Sequence, residues 1–118
     1  MHVSFTDPDC LFCKIVAGDI PAEIVSTTEH TVAFRDLNPQ APTHVLVIPK
    51  RHEPDVGSLA AADVDATIAL LAEARQIAES EGNGSYRLVF NTGADAHQTV
   101  FHCHAHVLAG RELGWPPG

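Results

Sequence analysis

Apolar residues in this chain fall into short runs and stripes whose spacing assigns the elements. HVLVIP at residues 44–49 is a continuous apolar run, and it predicts a central strand buried on both faces. Residues 24–26, 31–34 and 86–91 are β-type runs, the first two separated by a polar turn around Glu29. Residues 36–42, DLNPQAP, hold two prolines and an asparagine and read as loop. Val64, Ile68, Leu71 and Ala78 stand at i, i+4, i+7 and i+14, a single stripe of a long helix that Asp63 caps and Gly82 ends. Residues 10–17, CLFCKIVA, predict a short N-terminal helix or turn, stopped by Gly18-Asp19-Ile20-Pro21. Residues 92–97 form a turn-rich loop, and residues 99–108 predict the last strand. Strands grouped around one main helix predict an α+β fold with a mostly antiparallel sheet of about five strands.

Composition narrows the class. The 118 residues fit one domain, 1–118, and 45% hydrophobic with 19% charged residues is ordinary for a soluble protein. A net charge of −8 argues against a nucleic-acid partner, which needs a basic stripe. It does not argue against a small anionic ligand held by local donors. No apolar stretch approaches the roughly 20 residues of a membrane helix. The first residues lack the basic start and apolar run of a secretory leader. Three cysteines do not make a disulfide framework, so the expected compartment is the reducing cytoplasm.

Eight histidines are the compositional oddity, and three of them lie within residues 102–106. Side chains alternate faces along a strand. His102, His104 and His106 therefore share one face, and Cys103, Ala105 and Val107 share the other, fit to pack on a helix. Imidazole titrates near neutrality and serves as nucleophile, acid, base or metal ligand. Satisfied surface histidines and a three-histidine metal centre are the competing readings, and three in phase between apolar residues favour a reactive site.

HCHAHVL resembles the alternating signature of the histidine triad (HIT) family. CLFCKIVAGDIPAEIV, AFRDLNPQAPTHVLVIPKRH, YRLVFNTG and GRELGWPPG resemble, in order, further blocks of its nucleotide-binding, phosphoramidase-type branch. The resemblance implies a HIT-like fold and a purine nucleotide substrate. It makes His104 the nucleophile that attacks the α-phosphorus, giving a nucleotidyl-histidine that water cleaves. The backbone carbonyl of His102 would hold the other ring nitrogen of His104. His106 and His44 would flank the site and manage protons and the leaving group. Asn91 and Thr99, with backbone N–H groups near Gln98 and Thr99, would bind phosphate oxygens. On pattern alone Asn91 and Thr99 read as ordinary polar residues. Asp36 would accept the ribose hydroxyls, against a second reading as a turn former before Asn38-Pro39. Leu11, Phe12, Ile15, Ile20, Phe34 and Leu37 would sandwich the base, although on pattern alone they are core. His97 stands where the family often has glycine.

Cys10-x-x-Cys13 has the spacing of half a zinc site. The resemblance adds His52 and His102 as the other ligands, closing the site and making the zinc structural. Two buried reduced cysteines and a redox dithiol are the other readings, while Cys103 on the opposite face reads as inert packing. The resemblance also implies a homodimer, and uncovered sheet edges agree with that. Within the family, the branch and the scarcity of Lys and Arg near the triad favour phosphoramidates over dinucleoside polyphosphates. The remaining reading is a nucleotide-binding module with incidental turnover.

Overall fold

The structure is a computed structural model, and it describes residues 6–118. Its elements run in the order α1 (Leu11–Ala17), β1 (Ile24–Thr27), β2 (Thr31–Arg35), β3 (Thr43–Pro49), α2 (Val56–Ala62), α3 (Val64–Glu81), β4 (Tyr86–Val89), a single 3₁₀ turn (Ala94–Ala96) and β5 (Ala105–Ala109). The strands form one antiparallel sheet ordered β1-β2-β3-β5-β4, so the last strand enters between β3 and β4. This is the α+β architecture expected from the sequence, with a second short helix, α2, added. Asp55 caps α2 by accepting from the Ser58 N–H at 2.8 Å, and Asp63 caps α3 by accepting from Ala66 at 3.0 Å.

All seven residues of β3 are buried, because α3 covers one face of the sheet and α1 the other. On the first face Val45, Val47, Ala105 and Val107 pack under Leu70, Ala74, Ile77 and Ala78. On the second, Phe12 of α1 packs with Val32, Phe34, Leu46 and Ile48. Gly18 ends α1 at φ 79°, a left-handed turn that glycine takes without strain.

Two expectations require correction. Val64, Ile68 and Leu71 were expected to face the core, yet they are 62%, 60% and 44% exposed, and only Ala78 of that stripe is buried. The helix has two apolar faces, and the sheet takes the one carrying Ala66, Ala74 and Ala78. Small side chains let the helix axis approach the sheet, while Leu70 and Ile77 fill the space between. The last strand begins at Ala105, not Thr99. The register Val47↔Ala105 places Cys103 opposite Pro49, which has no N–H to continue the ladder. Cys103 instead donates its N–H to the Glu53 carbonyl at 2.7 Å. Residues 102–104 still keep the alternation: Cys103 joins the α3 core, and the histidines face α1.

Candidate active site

His104 is 8% exposed, with Phe12 edge-on at 5.1 Å between ring centroids. Its Nδ1–H donates to the His102 carbonyl at 2.8 Å. The ring therefore keeps its lone pair on Nε2. Burial lowers its pKa, opposed by that hydrogen bond and by the Asp36 charge, and favours a neutral imidazole.

His44 and His106 form a pair beside it, with Nε2 of His44 2.9 Å from Nδ1 of His106. Burial lowers both; that of His106 is pushed down to about 4, helped by its histidine neighbours and opposed by Asp36. Asp36 is the turn former of one sequence reading, and its free oxygen approaches the histidine pair. One carboxylate oxygen accepts the Asn38 N–H at 2.8 Å, forming the turn, and the other lies 3.5 Å from His44 Nε2. Asp36, His44 and His106 have the ligand types of a two-histidine, one-carboxylate metal site. The His44–His106 hydrogen bond already uses the nitrogens such an ion would need.

A cavity of about 370 Å³ opens in front of His104 and His106. Leu11, Phe12, Ile15, Ile20, Phe34, Asp36, Leu37 and Thr99 all line it. Leu37 does so from a fully exposed rim position. Asn91 follows β4, half-buried, and is not among the lining residues. Gln98 is buried with its side chain spent inside the fold: Oε1 accepts from Gly93, and Nε2 donates to Pro54 and Val100 carbonyls. Its backbone N–H is bonded to Gly93 as well. Gln98 thus braces the loop in front of the triad, and its groups are not free for phosphate. Leu46 and Val100 line the cavity without having been picked out from sequence. Leu46 was findable: it lies two residues after His44 and pairs with His106. A larger groove of about 630 Å³ lies beside Tyr86, Arg87 and Arg111, but no histidine lines it.

Below the triad, Cys10, Cys13, His52 and His102 bring four ligand atoms within 4.8 Å of one another. Nδ1 of His102 lies 3.4 Å from Cys10 Sγ, 3.6 Å from Cys13 Sγ and 3.2 Å from His52 Nδ1, and His52 Nδ1 lies 3.4 Å from Cys13 Sγ. A tetrahedron with zinc–ligand bonds of about 2.0–2.3 Å has edges of about 3.3–3.8 Å. Nε2 of His102 donates to the Pro49 carbonyl at 2.8 Å, leaving Nδ1 as the free electron pair. Burial pushes the Cys13 thiol up and His102 down to about 4. A bound dication reverses the first effect, because thiolate is the ligating form, and suits the neutral imidazole. The donor set therefore fits zinc. Cys103, its thiol pushed up to about 12 by burial, lies in the α3 core away from this cluster.

Comparison with known proteins decides the family. The sequence pattern of the HIT domain matches residues 17–113. The chain belongs to the HIT family. A HIT family hydrolase from Legionella pneumophila superposes with a TM-score of 0.89 at 45% identity, over 93% of this chain and 100% of that one. An uncharacterised HIT-like protein of Synechocystis is 46% identical, covering 93% of this chain and 97% of that protein. A 14 kDa zinc-binding protein of Zea mays is 43% identical over 95% of this chain and 90% of its own. Among the described residues of this HIT protein, no helix is long and apolar enough to cross a membrane.

Proposed function

We propose that this HIT protein hydrolyses purine nucleoside 5′-phosphoramidates or related nucleotidyl conjugates. The carrying observation is the His104 Nδ1–H to His102 carbonyl bond, which leaves a neutral Nε2 at the cavity. Nε2 attacks the α-phosphorus and the P–N bond breaks. The nitrogen leaves as a neutral amine, carrying a proton taken from solvent. Water then cleaves the N–P bond, releasing nucleoside monophosphate and restoring His104. Neutral His106 contributes a hydrogen-bond donor to the phosphoryl group or the leaving nitrogen. The apolar walls formed by Phe12, Ile15 and Phe34 suit a base, and Asp36 suits the ribose hydroxyls. Zinc held by Cys10, Cys13, His52 and His102 would supply a structural cross-link that fixes the His102 backbone.

A phosphoramidate is favoured over a dinucleoside polyphosphate by the scarcity of cations. Among the described residues, Arg35 is the one Lys or Arg that lines the cavity, and its guanidinium is bound to both oxygens of Glu81 on α3 at 2.7 Å. The test compares kcat/KM for an adenosine phosphoramidate and diadenosine tetraphosphate. Preference for the polyphosphate would identify the wrong substrate class, and AMP binding without turnover of either would reduce the protein to a binding module.

The same reading includes a homodimer. Ser26 of β1 donates to Glu73 at 2.7 Å, so that flank of α3 faces β1. Leu71 lies roughly 160° round the helix from Glu73. The exposed Val64, Ile68 and Leu71 therefore flank the β4 side, where β4 is an uncovered sheet edge. A two-fold partner there would cover both the stripe and the edge.

A further inference from the structure

We propose that Arg111 is a positioning residue for the His44–His106 pair, acting through the Gln40 backbone. The kinetic consequence rests on the hydrolase reading above. The assignment of the ring protons rests on the hydrogen bonds alone.

A neutral imidazole carries one N–H and one lone pair. The Gln40 N–H donates to His44 Nδ1 at 3.0 Å. Nδ1 is therefore the lone-pair nitrogen, and the proton sits on Nε2. From there it is donated to Nδ1 of His106 at 2.9 Å. His106 in turn must carry its proton on Nε2, away from His44. One backbone amide thus sets the tautomer of both rings, and makes His106 a donor toward the cavity it lines.

That amide belongs to an exposed loop, where residues 37–40 have little packing to hold them. Arg111 reaches the loop from the chain's other end. Its Nε and Nη2 both donate to the Gln40 carbonyl, at 3.3 and 3.0 Å, while Nη1 donates to Glu112 at 2.8 Å. Gly110 makes this reach possible. It turns the chain at φ 94° directly after β5, and a Cβ there would lie 2.8 Å from Pro42 Cβ. The turn is therefore seated against the loop that Arg111 grips. An exposed arginine is linked to His106 through Gln40 and His44.

The experiment records ¹⁵N imidazole NMR spectra of the full chain, with kinetics on adenosine 5′-phosphoramidate, for wild type, Arg111→Met and Arg111→Lys. In wild type His44 should show Nδ1 unprotonated and Nε2 protonated. In Arg111→Met the His44 tautomers should mix, kcat should fall about tenfold and KM should change less than about twofold, as for a misplaced catalytic group. Arg111→Lys should restore kcat to within about threefold, because an ammonium donates to the same carbonyl. Thermal unfolding and metal content, unchanged in both variants, separate positioning from general damage. A wild-type His44 protonated at Nδ1, or an unaltered His44 tautomer in Arg111→Met, overturns the proposal. A tautomer shift in a chain whose wild type does not cleave the phosphoramidate supports the positioning role and refutes the substrate reading.

Discussion

The ring of His104 is tethered to the backbone of His102, Nδ1 to carbonyl oxygen at 2.8 Å, while the ring of His102 points into the cysteine cluster. One residue thus presents its carbonyl to the proposed nucleophile and its side chain to the proposed zinc. A structural zinc and a catalytic ring would then share a single residue of chain.

Replacing His104 with alanine should lower turnover by at least about 10³-fold, since the covalent route loses its nucleophile. AMP affinity should change only severalfold, because the base walls and Asp36 remain. Parallel measurements of hydrolysis and AMP binding check this. Near-wild-type turnover would remove His104 from the mechanism.

One zinc per chain is expected in protein purified without added metal. Cys10→Ala should lose the ion and several kcal/mol of stability, because structural zinc binding is coupled to folding. It should also reduce kcat, through a looser His102 carbonyl. Elemental analysis, thermal unfolding and kinetics on the same preparation test both halves. A metal-free wild type with unchanged stability would contradict the assignment.

Stability should fall as the solution is acidified from about pH 6.5 to about pH 4. His106 has its folded pKa at about 4, below the ordinary histidine value, so the unfolded chain binds more protons in that window. The contribution is fully present above the unfolded pKa and is lost as pH falls through the folded one. His44, also lowered by burial, acts in the same direction. Urea unfolding across this range should show the slope, and His106→Gln should flatten it.

Leu70→Ala should cost about 2–5 kcal/mol of folding stability, because Leu70 is 1% exposed between helix and sheet. Leu71→Ala, at 44% exposure in the chain alone, should cost well under that in a monomer. Leu71→Glu should shift sedimentation toward the monomer if the stripe is the dimer face. A monomeric wild type at micromolar concentration would leave the stripe without this role.

His97 adopts φ 67°, a left-handed conformation unfavourable for a residue with a Cβ. His97→Gly should therefore stabilise the protein by up to about 1 kcal/mol, less whatever entropy glycine loses on folding. Denaturant unfolding of the two proteins measures it; a clear loss of stability would show that the histidine side chain makes a compensating contact.

The strands of the central sheet apart from the start of β5, the loop at residues 36–42, the caps Asp63 and Gly82, and the shared face of His102, His104 and His106 were readable from local pattern. Period-two alternation, turn chemistry and helix capping depend on neighbours in sequence. The half-site Cys10-x-x-Cys13 was legible in its spacing, whereas His52 and His102 came from resemblance, and folding brings the four together from three separate segments. Tertiary structure alone decided which apolar face of α3 is buried, because both faces have the helical period and only the sheet's close approach selects the alanines. It also turned Gln98 inward, because its two ends meet backbone groups from Gly93, Pro54 and Val100. The protons on His44 and His106 follow the same rule: their tautomers depend on an amide at Gln40 and an arginine 71 residues further along, a distance that no local pattern spans.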